Sequence, residues 1–387
     1  MRNYKYLVWI LLIVVMTFSC QGTGSSSNSF EDPIKFYVGS SDGSLEHSIF
    51  LCEFDAESGN FYVLDSFAGA KGPSYLALSP GNDFLYTINE EISDPASKQR
   101  TVSSYSIDSD NLSLKFMNSQ SSQGSGPCHI CCSKDGNYIF AANYSSGHSS
   151  AFPVQEDGSI GNATSVVIGE GNGPVESRQN GPHAHMVALD PGNRFLLVPD
   201  LGTDKVLIYQ FDENSGTLTP NPEQPFLKMD PGSGPRHLVF HPGGEFVYVV
   251  NELNSTVTAC RYDEKRGVLT KLQSVSTVSE DHVGSKYPAA IRISSDGKFV
   301  YASTRGEHSK ISVFQVEDDG RIIRTQVVEV THWPREFNLD PSGKYLMVAG
   351  EKSDEIELYY INKATGKLNP TESKLTLPSP ACILYID

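Results

Sequence analysis

What most limits this chain is a self-similar stretch, fullest at residues 234–252: G-P-R-H-L-V-F-H-P-G-G-E-F-V-Y-V-V-N-E. It reads as an apolar strand, a tight turn at Pro242-Gly243-Gly244, and a second strand of aromatic and β-branched residues. Related copies occupy 72–90, 126–144, 181–201, 287–305 and 333–351, and a last fragment at 379–386 supplies the first strand alone. The proline opening each copy falls at 73, 127, 182, 235, 288, 334 and 380, so the repeat is 46 to 55 residues long. A period of about 50 residues filled only by strand-type segments specifies blades arranged around an axis. Seven first strands specify an all-β, seven-bladed β-propeller with four-stranded antiparallel blades.

The segment at 34–40 reads as a strand with no inner strand before it, and the fragment at 381–386 lacks the strands that should follow it. Pairing the two termini in one blade closes the ring and removes its exposed edges. In the copy opened by Pro235 the four strands read 237–241, 245–250, 256–262 and 269–277. No segment carries helical periodicity. The longest irregular stretches, 169–181 and 280–287, are of a length that often carries function in a compact fold.

At the N-terminus, Arg2 and Lys5 precede an apolar run at 7–15, and Ser19-Cys20 leads into a Gly/Ser-rich tract. This is the order of a secretory signal over 1–19, and the small residue before Cys20 resembles a bacterial lipoprotein signal. The expectation is an exported lipoprotein, periplasmic or outer-membrane associated, lipidated at Cys20, with a flexible tether to residue 32. One propeller domain then fills 33–387 as a monomer or weak homo-oligomer, meeting the membrane only through its lipid. A net charge of −16 without a basic patch excludes nucleic acid as a natural partner. The run Cys128-His129-Ile130-Cys131-Cys132 has the donors of a metal cluster, but strand neighbours face opposite sides and these cannot converge. No metal or cofactor is expected.

Differences between the copies locate a site. Six residues before the first turn stand Ser74, Cys128, His185, Arg236, Ala289 and Arg335; ten residues after it stand Glu90, Tyr144, Leu201, Glu252, Arg305 and Glu351. The free ends of an antiparallel hairpin are adjacent, so one rim of the channel gathers His185, Arg236, Arg305, Arg335, Glu90, Glu252 and Glu351. Two readings compete. The groups are salt bridges between blades, or they bind a carboxylate or phosphate and supply acid–base chemistry. A mixed arrangement has Glu90 and Glu351 orienting arginines while the others face the ligand. His183 and His185 share a face of an extended strand, a pairing also found at metals, although no third ligand is near in sequence. His129 and His237 each follow a rim position and are expected to point away from the channel.

These residues also carry a resemblance. The stretches R-Q-x-G-P-H-x-H-M-V at 178–187, D-L-G-T-D-K-V at 200–206, G-P-R-H-L-V-F-H-P with V-N-E-L-N-S within 234–255, and W-P-R-E-F-N-L-D-P-S-G-K-Y-L at 333–346 are similar to the seven-bladed β-propeller lactonases. That family is related to propeller-type bacterial 6-phosphogluconolactonase and fungal carboxy-muconate cyclase. The resemblance spans about residue 34 to the C-terminus and implies opening or closing of a lactone ring without a required metal. It implies His185, Arg236, Glu252 and Arg305 as the catalytic set, with His183, Arg335, Glu90, Tyr144, Gln179 and Glu351 around the substrate. Glu252 or His185 is expected as the base, with Glu252 favoured to orient or activate water because a carboxylate beside Arg236 stays ionised, and Arg236 and Arg305 are expected to hold the developing oxyanion. Export argues against a phosphorylated substrate more than against the chemistry. The competing class is a non-catalytic exported propeller that binds sugars or proteins; it would display an aromatic patch where this rim carries Arg, His and Glu.

Overall fold

A computed structural model describes residues 32–91, 100–279 and 282–386. The signal, Cys20 and most of the tether lie outside the described residues. Seven antiparallel sheets succeed one another around an axis. Blade 1 is the closing sheet, ordered Pro380–Tyr385, Ile34–Ser40, His47–Asp55 and Asn60–Ala68, with Phe36 opposite Tyr385 and Val38 opposite Ile383. The expected closure by the two ends of the chain is therefore present. No helix occurs among the described residues.

The sequence of each blade follows its radial environment. In blade 5 the second strand, Phe246–Asn251, is buried at every position because both of its faces meet a neighbouring blade. Its outer strand, Val268–Ser276, is largely exposed and accepts Thr, Lys, Gln and Ser. Blade 4 departs most. Its inner strand shrinks to Ala188–Leu189 plus a bridge between Ala184 and Asp200, and its outer edge is split between Thr217–Pro220 and Phe226–Lys228.

The core is not central but divided among the seven blade interfaces, each with its own apolar cluster. Phe140 of blade 3, for instance, packs with Leu196 and Val198 of blade 4. A repeated interlock joins neighbours. An aromatic ring on one blade's second strand covers the glycine of the next blade's second turn, as Phe84 covers Gly158, Phe246 covers Gly320 and Phe299 covers Gly366. A Cβ on Gly320 would lie 2.2 Å from the Phe246 ring, and the φ of +84° also favours glycine, so this turn tolerates no side chain.

One irregularity decides the chemistry of the channel. The inner strands Pro127–Cys132, Pro235–Phe240, Tyr287–Ile293 and Pro334–Leu339 each shift register beside their opening proline. In such a bulge two residues oppose one on the partner strand, and strict alternation of side chains is lost. Consecutive residues such as Arg236 and His237, or Arg335 and Glu336, can then both serve the axis.

Candidate active site

Glu252 sits just beyond its strand, where its N–H donates to the Gly234 carbonyl at 2.8 Å. The same hairpin closure recurs at Glu90 on Gly72, Tyr144 on Gly126 and Glu351 on Trp333. It brings the two ends of each inner hairpin to one mouth of the channel. There Arg178 Nη2 lies 2.5 Å from Glu252 Oε1, Arg305 Nη2 2.7 Å from Oε2 and Arg236 Nε 3.2 Å from Oε2. The carboxylate is only 4% exposed. Arg236, equally buried, donates through Nη1 to the Ala289 carbonyl at 2.5 Å and lies 3.3 Å from His237 Nε2.

Across the mouth the stoichiometry is reversed. Arg335 pairs with Glu90 and, at 2.9 Å, with Glu351; Ser74 binds Glu90 and Ser41 donates to Glu351 at 2.7 Å. The cavity between the two groups has a volume of about 390 Å³ and is lined by Arg178, Arg236, Arg305, Arg335, Arg100, Glu252, Glu90, Glu91, His185, Tyr144 and Cys128 among others.

Burial alone would raise the Glu252 carboxyl, but the Arg305, Arg236 and Arg178 guanidiniums outweigh it and hold the group below the usual carboxylate range. Burial, reinforced by Arg305, lowers Arg236 to about 10 despite Glu252. His185 is neutral: burial first, then Arg236, push it well below its ordinary value. Burial pushes the Cys128 thiol up to about 12, so this cysteine is a protonated wall residue. The site is thus an ionised carboxylate, a cationic surplus and an uncharged imidazole.

Of the residues expected around the substrate, Tyr144, Arg335 and Glu90 line the cavity. His183 lies behind Tyr144, stacked on it at 4.7 Å with Nδ1 bonded to its carbonyl, while His185 meets the same ring edge-on at 5.1 Å. Gln179 is not a lining residue. Fully buried, it donates to the Leu201 carbonyl and to Asp204 and accepts the Val175 N–H, bracing the loop that precedes His183. Glu351 acts through Arg335. Among the described residues no group of three or more His, Cys, Asp or Glu is placed to hold a metal ion.

The expectation for His129 and His237 was wrong. Tyr75 of blade 2 meets His237 of blade 5 at 6.1 Å, a contact possible only across the axis, and His129 lies between them at 4.0 and 5.4 Å. Arg292 closes this lower layer by donating to the Tyr75 hydroxyl at 3.2 Å and pairing with Glu336 at 2.9 Å. The register shifts of the inner strands turn these residues inward, which a strict two-residue period does not anticipate. Arg178 is the functional candidate that comparison of the copies missed, because its loop belongs to no repeat.

This fold and this mouth define a class: the chain belongs to the lactonase family of seven-bladed β-propellers, whose profile matches residues 35–385. Among its relatives is the 6-phosphogluconolactonase of Bacillus subtilis, 33% identical over 352 residues that cover 90% of this chain and 97% of that one. The 6-phosphogluconolactonase of Formosa agariphila is 32% identical over 85% of this chain and 92% of its own length. The solved structure of a periplasmic gluconolactonase from Pseudomonas aeruginosa superposes with a TM-score of 0.85 at 27% identity, covering 92% of this chain and 99% of that one.

Proposed function

We propose that this protein is a lactonase that hydrolyses a sugar-type lactone at the arginine-rich mouth. The observation that carries the reading is Glu252 among three arginines. One carboxylate cannot neutralise three guanidiniums, so the site keeps a positive surplus in a poorly hydrated place, where donors act strongly on developing negative charge. That surplus suits the oxyanion of the tetrahedral intermediate and a carboxylate or phosphate on the substrate. Both oxygens of Glu252 are engaged by arginines, which makes it a poor proton acceptor and a good anchor for them. His185 is the uncharged base left on the wall: it takes the proton of the attacking water and returns it to the ring oxygen as the ester bond opens. Relatives named 6-phosphogluconolactonase and gluconolactonase support this chemistry.

The test is proton release from a panel of sugar δ-lactones, phosphorylated and not, with and without a chelator. Turnover that survives the chelator and falls about 10²-fold or more in His185→Asn supports a metal-independent lactonase. Release at the spontaneous rate on every lactone overturns it. Export as a lipoprotein belongs to the same proposal and favours the unphosphorylated lactone. Metabolic labelling with palmitate, lost in Cys20→Ala, is the result it requires.

A further inference from the structure

The residue before the opening proline of a copy is glycine in blades 2, 3 and 5, and there it takes the left-handed conformation: φ is +61° at Gly72, +65° at Gly126 and +60° at Gly234. In blade 7 the same position is Trp333, at φ +63°. Glycine adopts this conformation freely, whereas a bulky aromatic is strained in it. The backbone is locked into place, with the Trp333 N–H donating to Ser309 Oγ at 3.0 Å and its carbonyl accepting the Glu351 N–H at 3.2 Å. Strain of this kind persists where the surroundings over-determine it, and it gathers at functional sites.

The ring shows what the strained backbone delivers. The Arg305 guanidinium lies 5.5 Å from the centre of the indole, and the exposed Lys352 ammonium lies 3.3 Å from it. Arg305 is otherwise held by Glu252 at 2.7 Å and by the Tyr287 carbonyl at 3.2 Å, and its side chain is 12% exposed. The two latter contacts fix its ends, whereas the indole supplies the flank. A glycine here, as in blades 2, 3 and 5, would leave that flank to water.

We infer that Trp333 is a positioning residue that keeps Arg305 turned toward Glu252 and the incoming anion. The inference rests on the arginine mouth being the lactonase site. It explains why a strained tryptophan stands where blades 2, 3 and 5 use glycine, and why the indole is flanked by two cations.

The experiment compares full-length Trp333→Gly, Trp333→Phe and Lys352→Ala with the wild type on an anionic sugar δ-lactone. A cation–π contact of about 0.5–2 kcal/mol corresponds to roughly 2- to 30-fold in binding. Trp333→Gly, which installs the residue of blades 2, 3 and 5, is expected to keep the wild-type melting temperature or exceed it. It should raise KM about 5- to 20-fold and change kcat less than about twofold. Trp333→Phe should restore KM to within about threefold, and Lys352→Ala should leave it within about twofold. A wild-type KM in Trp333→Gly, a fall in melting temperature and kcat with KM unchanged, or a Lys352→Ala variant that reproduces the KM rise would each overturn the assignment.

A second readout needs no turnover. The chain has two tryptophans, Trp9 and Trp333, so the difference in emission between wild type and Trp333→Phe isolates Trp333. Titration with inorganic phosphate should change that emission saturably, and not in Arg305→Met. If the wild type hydrolysed no lactone while this response held, the lactonase reading would fail and the positioning role would stand. Turnover without the phosphate response would instead sustain the lactonase and remove the positioning role.

Discussion

The two sides of the arginine-rich mouth use the same side chains in opposite proportions. On one, Glu252 is shared by three arginines; on the other, Arg335 is shared by Glu90 and Glu351. Both resemble the ion pairs that any ring of blades might use to hold its seams, and a simple tally of salt bridges would not separate them. Their residual charge does. The Arg335 group carries the opposite surplus, one carboxylate more than its cation neutralises; the guanidinium is saturated from two sides, and against the burial that opposes them Glu90 and Glu351 raise it. The Glu252 group is open, with cationic donors in excess of what their partner can satisfy. The two groups differ by which partner is in the minority, and on the proposed function that separates a seam from a binding site.

Several experiments would break this distinction. The largest effect should come from carboxamide exchange: Glu252→Gln is expected to lower kcat/KM about 10²- to 10³-fold, comparable to losing a preorganised oxyanion donor. Glu351→Gln should lose less than about tenfold, since it acts only through Arg335. Equal losses in steady-state assays would mean that both halves hold substrate.

Stability should rank the halves the other way. Arg335→Met strands two carboxylates and should cost about 2–3 kcal/mol in denaturant unfolding, less than a fully buried pair because this arginine is 19% exposed. Arg305→Met removes one of three mutually repelling cations and should cost under about 1 kcal/mol while raising KM. An Arg305→Met variant as unstable as Arg335→Met would make the Glu252 group a seam as well.

A further comparison concerns pH. His129, His185 and His237 are all held well below 6.5, first by burial and then by arginines: Arg292 and Arg236 for His129, and Arg236 first for the other two. Below that value the unfolded chain binds protons the folded one refuses, so stability falls with pH by about 1.4 kcal/mol per unit for each histidine. His129→Leu should flatten the decline by about a third between pH 6 and 5. Glu252, with its carboxyl lowered, adds a loss on the same side: its contribution is present above 4.5 and disappears as pH falls through the folded value. Thermal melts across this range that coincide for wild type and His129→Leu would show that the lower layer takes up protons in the folded state.

How much of this could be read in advance depended on whether a residue belongs to the repeat. The blade count, the closing strands and the convergence of Arg236, Glu252, Arg305 and Arg335 follow from aligned positions in successive copies, since equivalent positions in a ring must meet at one height. Arg178 has no equivalent in the other blades, and the hints it gave were its long loop and its place in the R-Q-x-G-P-H stretch. His129 and His237 were misplaced for a different reason. Alternation assumes a regular strand, and the bulge beside the opening proline in blades 3, 5, 6 and 7 is a property of strand pairing that one strand's residues do not announce.

The direction of the first strand has a consequence for how the molecule would work when tied down. Ile34–Ser40 runs from the distal face, where Lys35 and Ile386 are joined by a backbone hydrogen bond, to the mouth, where Ser40 and Ser41 meet Pro378 and Glu351. The start of this strand therefore lies on the side away from the arginines. A propeller moored at Pro33 would turn its arginine mouth outward and leave it unobstructed to solutes diffusing in from the bulk, and a mooring at Ile386 would give the same outward orientation. Fusion of a surface anchor at either end should leave kcat/KM close to that of the free protein; an anchor inserted in a mouth-facing loop should not.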